Sequence, residues 1–201
     1  LGGLETGADR SIDDVPFAEI TRLLCAAYGR GAVNTVSWHP QNPESGASAW
    51  DGKTATAVSS ILPDGANHAQ FRLWLDRLAG FFVGLKSADG TCVPVLFRPF
   101  HEHTGSGFWW GEAQCTPDEY KALWRFTVEY LRDVKGVHNL LYVYSPDLYR
   151  DAEHYTERYP GDEWVDVLGL DAYHRPQDWD FLSGGERMLS TLQRLGHEHG
   201  K

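Results

Sequence analysis

Hydrophobic positions along the chain fall into two alternating patterns. Short, nearly continuous apolar runs occur at residues 32–39, 94–100, 139–146 and 165–173. Each has the length of a strand, and so little polar alternation suits strands buried on both faces, as in a parallel sheet. Between the runs the spacing becomes helical. Residues 13–28 open with acids and carry Phe17, Ile20, Leu23 and Leu24, and residues 67–85 carry Phe71, Leu75, Leu78 and Phe82. Thr116-Pro-Asp-Glu119 reads as a helix N-terminus, with a Thr cap, Pro at the first helical position and Glu at the capping-box position. That helix is expected to run to about Val134 and stop at Gly136, and another is expected over residues 185–199. The order α-β-α-β-α-β-α-β-α predicts an α/β parallel sheet, either doubly wound or wound as a (β/α)8 barrel. No glycine-rich phosphate loop follows any strand, which weakens the dinucleotide-binding alternative. Four strands do not close a barrel, so the sheet is expected to be open or to form part of a larger TIM barrel.

Composition narrows the picture. The chain has 201 residues, 42% of them hydrophobic, which suits one domain with a true core and no internal linker. A formal net charge of -10 argues against nucleic acid or anionic membranes as partners. No run of about 18 apolar residues is present, so no membrane span is expected. The N-terminal residues show no basic and apolar leader, so a signal peptide is read as absent or already removed. Cys25, Cys92 and Cys115 form neither a disulfide framework nor a metal-binding spacing.

The unusual chemistry gathers just after the expected strands, at Trp38-His39, His101-Glu102-His103, Asp147 and Asp171-Ala-Tyr173. Polar and aromatic groups at strand C-termini fit the upper face of a barrel. The densest stretch is Arg98-Pro-Phe-His-Glu-His-Thr-Gly-Ser-Gly-Phe-Trp-Trp-Gly111. Here a strand delivers Arg98, His101 and Glu102, and the flat faces of Trp109 and Trp110 suit sugar rings. A Glu buried beside Trp and His has the raised pKa that a general acid needs. The alternative is that both tryptophans are loop core and Glu102 is an ion-pair partner of Arg98. Trp38-His39 and Ser48-Ala-Trp50-Asp51 flank a polar loop that forms either a second cleft wall or an ordinary packed loop. The Tyr173 hydroxyl serves a carboxylate or a sugar, or the ring simply packs at the rim. Tyr142 and Tyr144 are read as core. His39, His101, His103 and Asp171 give a metal-hydrolase alternative, although their spacing is not diagnostic.

Several of these segments, in order along nearly the whole chain, resemble glycoside hydrolase family 26, chiefly endo-β-1,4-mannanases. They are Trp38-His39, Ser48-Ala-Trp-Asp51, Arg98-Pro-Phe-His-Glu102, Gly105-Ser-Gly-Phe-Trp-Trp-Gly111, Tyr130-Leu-Arg-Asp-Val-Lys-Gly-Val137, Leu141-Tyr-Val-Tyr-Ser-Pro146 and Arg158-Tyr-Pro-Gly-Asp-Glu-Trp-Val-Asp-Val-Leu-Gly-Leu-Asp171. The resemblance implies a (β/α)8 barrel and hydrolysis of β-1,4-mannosidic bonds with retention of configuration. It implies that Glu102 is the acid/base at the end of the fourth strand, that His101 contacts the cleaved sugar and that Tyr173 orients the nucleophile. His39, Trp50 and Trp110 fall on subsite walls, with Trp109, Arg98 and Asp171 as further substrate-binding candidates. Mannan, galactomannan, glucomannan and manno-oligosaccharides are the implied partners, with no metal or organic cofactor and a monomeric intact enzyme. A polymeric substrate implies a secreted, cell-surface or periplasmic location.

Two departures stand out. Gly107 occupies a position where many relatives carry Trp, and Phe108 is a possible substitute. The family nucleophile is a Glu on the seventh strand, in a Ser/Thr-Glu-x-Gly setting, and it is expected beyond Lys201. The four strands then correspond to the third to sixth of the barrel, making this one catalytic domain truncated at both ends. A retaining pair needs carboxyl groups about 5–5.5 Å apart, and Asp171 is the local alternative. The rival classes are a non-catalytic glycan-binding module, with Trp38, Trp50, Trp109 and Trp110 as its platform, and the metal-dependent barrel hydrolase.

Overall fold

The computed structural model describes residues 1–174 and 181–201. After a 3-10 turn at Leu4–Thr6, the chain forms α1 (Phe17–Tyr28), β1 (Asn34–Ser37), α2 (Ala57–Ile61), α3 (His68–Gly84) and β2 (Val95–Arg98). It continues through α4 (Pro117–Glu129), β3 (Leu140–Tyr144), α5 (Ala152–Thr156), β4 (Val167–Leu168) and α6 (Phe181–His199). The four strands lie in sequential order, β1-β2-β3-β4, and every pair is parallel. A doubly wound sheet reverses its strand order at a switch point. Sequential order with helical crossovers is instead the winding of a barrel, here not closed.

The helices cover one face of the sheet. Asn34 of β1 donates to the Leu24 carbonyl of α1, Phe97 meets Phe82 of α3 at 5.0 Å, and Tyr144 packs edge-on against Trp124 of α4 and Tyr155 of α5. Each fully buried side chain of this size contributes about 1.5–3 kcal/mol. The other face carries Thr35, Leu96 and Leu141 side by side in register, and Leu141 is 46% exposed. The expected burial on both faces is therefore corrected: apolar Leu141 sits on the open face. Tyr142 and Tyr144 are core residues, as their alternation suggested.

Local sequence explains the element ends. The first helix starts at Phe17 rather than Asp13. Pro16 disfavours helical backbone at Val15, and Asp14 adopts a left-handed φ of 59° in the preceding turn. The Thr116 hydroxyl accepts from the Glu119 N–H while the Glu119 carboxylate accepts from the Thr116 N–H, so the capping box is complete. After Glu129 the helix widens into a π-helical turn, Tyr130–Val134, and ends at Gly136, whose φ is 66°. The fourth strand is far shorter than the apolar run. Asp166 Oδ2 takes the Tyr142 N–H before the strand begins, and beyond it Asp171 donates to Pro146, which has no N–H to return.

Candidate functional site

The site is built on the segment that leaves β2. Arg98 ends the strand, and the backbone then makes two left-handed steps, at Phe100 (φ 49°) and Glu102 (φ 54°). Such conformations are unusual for residues with a Cβ and persist where the surroundings enforce them. Here almost every nearby backbone group is tied. The Tyr120 hydroxyl donates to the Phe100 carbonyl at 2.8 Å, and the Trp110 indole N–H donates to the His101 carbonyl at 2.9 Å. The Glu102 N–H donates to the Ser145 carbonyl on the neighbouring strand at 2.8 Å, and the Gly105 N–H returns to the Glu102 carbonyl at 3.3 Å. The Gly105 carbonyl in turn accepts from Glu112 at 3.0 Å. A Cβ on Gly111 would run into that same carbonyl, which is why the loop needs glycine there.

Around this turn stands an aromatic cluster. Phe108 stacks on Trp110 at 4.5 Å with an interplanar angle of 6°, and its other neighbours are His101 at 5.2 Å, His39 at 5.6 Å and Trp50 at 5.6 Å. His39 and His101 meet edge to face at 4.7 Å. Burial pushes the His101 imidazole down to about 3, with His39 and Arg98 adding to the effect, and pushes His39 down to about 4. Both rings are therefore neutral near pH 7, able to hydrogen-bond a hydroxyl without adding charge.

The structure sorts the candidates. His39, Trp50 and His101 come together, with Glu102 next to His101 in the chain, and Trp50 is 55% exposed while stacking on His39 at 5.4 Å. Trp109 and Trp110, by contrast, are fully buried. Trp109 donates to the Pro40 carbonyl at 3.0 Å and Trp110 lies beneath Phe108, so these rings support the site from below and present no face to solvent. Arg98 pairs with Asp171. Asp171 also takes a hydrogen bond from Ser145; burial raises its pKa, and Arg98 partly offsets this. Tyr173 is 66% exposed. His103 departs from the metal-site grouping. It is fully buried, with ring contacts to Tyr120 at 4.4 Å and Tyr144 at 4.7 Å on the helix-covered side, and burial holds it neutral. Among the described residues no group of three or more His, Cys, Asp or Glu side chains is arranged to hold a metal ion.

Phe108, named in the sequence only as a possible substitute for the ring absent at Gly107, is the hub of the cluster. One participant was missed by sequence reading. Ser145 holds both the Glu102 backbone and the Asp171 carboxylate, and nothing in its local sequence marks it.

Comparison with known proteins decides the family. The model for glycosyl hydrolase family 26 matches residues 12–184. The chain belongs to family 26. Among solved family 26 structures, the β-mannanase BoMan26A of Bacteroides ovatus is 42% identical and superposes over 100% of this chain and 58% of its own, with a TM-score of 0.95. A mannan endo-1,4-beta-mannosidase of Bifidobacterium adolescentis is 44% identical over 84% of this chain and 16% of that protein. One from Bacillus subtilis strain 168 is 32% identical over 94% of this chain and 52% of its own length. This family 26 chain thus spans about half or less of the curated relatives it matches. The four-stranded sheet is part of the family's TIM barrel.

Proposed function

We propose that this family 26 chain carries the acid/base side of a site that hydrolyses β-1,4-mannosidic bonds by retaining double displacement. Glu102 protonates the leaving glycosidic oxygen as a carboxylate attacks the anomeric carbon. It then takes the proton of the water that releases the glycosyl-enzyme. The observation that carries this reading is the tied left-handed turn at the C-terminal end of β2, which holds the backbone of Glu102 next to His101, itself in ring contact with His39 of the His39–Trp50 pair. The mannanase names of the relatives support the substrate. In this reading Trp50 and His39 supply a sugar-stacking wall, Tyr173 orients the attacking carboxylate, and no cofactor takes part. Asp171 is engaged by Arg98 and Ser145, so the attacking carboxylate is proposed to come from a barrel strand outside the four described. A polymeric substrate fits an extracellular or periplasmic monomer.

The test is reducing-sugar release from galactomannan by this chain and by a version extended to the full barrel of its relatives, each with and without Glu102→Gln. Activity in the extended form, lost on substitution and giving β-configured product first, is expected. An inverted first product contradicts the mechanism. Galactomannan binding without turnover in every form supports the binding-module class instead.

A further inference from the structure

Asp147 lies two residues beyond Ser145 at the end of β3, among the strand-end polar groups that the proposed chemistry leaves without a role. It is half-buried. Its Oδ1 accepts the Thr104 hydroxyl, and its Oδ2 lies close against Gly105. The approach is so close that a Cβ on Gly105 would stand 2.5 Å from Asp147 Oδ2. Both oxygens are therefore turned into the loop that follows Glu102. The β3 end grips the turn on two sides: Ser145 holds the Glu102 N–H, and Asp147 holds residues 104 and 105, immediately beyond it.

We infer that Asp147 is a positioning residue for Glu102, clamping its turn through Thr104 and Gly105 so that the left-handed backbone and the aim of the carboxyl are kept. This rests on the acid/base reading of Glu102. A left-handed glutamate relaxes when its restraints are removed, and a displacement of about 1 Å at a reacting group can cost about a hundredfold in rate. Asp147 acts through the loop, since its Oδ1 is bonded to Thr104 and its Oδ2 faces Gly105.

The test uses the protein extended to full barrel length and compares Asp147→Ala, Asp147→Asn, Thr104→Val and Glu102→Ala. Substrates are mannan and a series of aryl β-mannobiosides with leaving groups from poor to good. Azide provides the second readout. It attacks the anomeric carbon of the glycosyl-enzyme as an anion, forms a glycosyl azide and frees the enzyme carboxylate, with no proton for a general base to remove.

Asp147→Ala is expected to lower kcat on mannan about 10- to 100-fold with KM changed less than about threefold. The loss should shrink with better leaving groups, and azide should restore turnover as it does for Glu102→Ala. Thr104→Val should reproduce the effect, and Asp147→Asn, which keeps an acceptor for Thr104, should recover part of the rate. Unchanged kcat in Asp147→Ala beside an inactive Glu102→Ala overturns the inference and leaves the acid/base reading intact. A loss equal across all leaving groups, insensitive to azide and matched by a fall in folded fraction, also overturns it. Full activity in Glu102→Ala removes the acid/base reading, and the inference with it.

Discussion

The ends of β2 and β4 both present candidate site residues, yet the two are held in opposite ways. After β2, the carbonyls of Phe100, His101, Glu102 and Gly105 each accept a hydrogen bond, and buried Phe108, Trp109 and Trp110 pack beneath. After the two-residue β4, Asp171 is fixed by Arg98 and Ser145, while Tyr173, two residues on, is 66% exposed. Both segments sit at strand C-termini of the same sheet, so topology alone does not pre-organise a site. Over-determined backbone hydrogen bonding and a packed aromatic floor do so at β2. At β4 the ion pair fixes one side chain and leaves the next aromatic in solvent.

The contrast can be broken by substitution. Trp110→Ala removes the ring under Phe108 and the donor to the His101 carbonyl, and should cost about 3–5 kcal/mol in urea unfolding. A cost under about 1 kcal/mol would show that the floor is not what holds the β2 end.

The pH dependence should carry opposite signs at the two ends. His101 and His39 have native values lowered to about 3 and about 4 by burial, while the unfolded rings titrate near ~6.5. The unfolded chain therefore binds more protons below that value, so the stability is fully present above about pH 6.5 and is lost as pH falls towards 4. Asp171 has a native value raised by burial, so its contribution is present below the ordinary carboxylate pKa and is lost as pH rises through the raised one. Urea unfolding at pH 7 and pH 5 should show a clear loss at the lower pH, and His39→Gln with His101→Gln should flatten it. An unchanged slope in the double variant would place the titrating groups elsewhere.

Smaller effects sharpen the same point. Thr116→Ala removes the hydroxyl half of the capping box on α4, the helix that carries Tyr120 to the Phe100 carbonyl, and should cost about 1 kcal/mol in thermal or urea unfolding. Tyr173→Ala should change stability by no more than about 0.5 kcal/mol, as expected for an exposed side chain. A larger loss there would mean that the β4 end is packed more firmly than its exposure indicates.

What was legible in the sequence was local. The capping box at Thr116 needs only four consecutive residues, and the strand positions follow from apolar runs. Pro16 could have placed the start of α1, since its effect on Val15 is also local. The fate of the tryptophans was not legible, because Trp109 turns inward to a carbonyl at Pro40, 69 residues earlier. The left-handed turn at Glu102 was equally hidden: its restraints come from Tyr120, Ser145 and Asp147, on other elements. Residue types marked Glu102, His101 and Asp171 as strand-end chemistry, but the pairing of Arg98 with Asp171 depends on the sheet bringing β2 and β4 ends within reach.

The central claim is that the β2 turn presents Glu102 as a proton donor, and leaving-group dependence tests it most directly. In a protein extended to full barrel length, Glu102→Ala should lose about 10²–10⁴-fold in kcat/KM on mannan and far less on a dinitrophenyl β-mannobioside, whose leaving group departs without a proton. An equal loss on both substrates would contradict the account, because Glu102 would then matter for binding or folding and not for proton transfer.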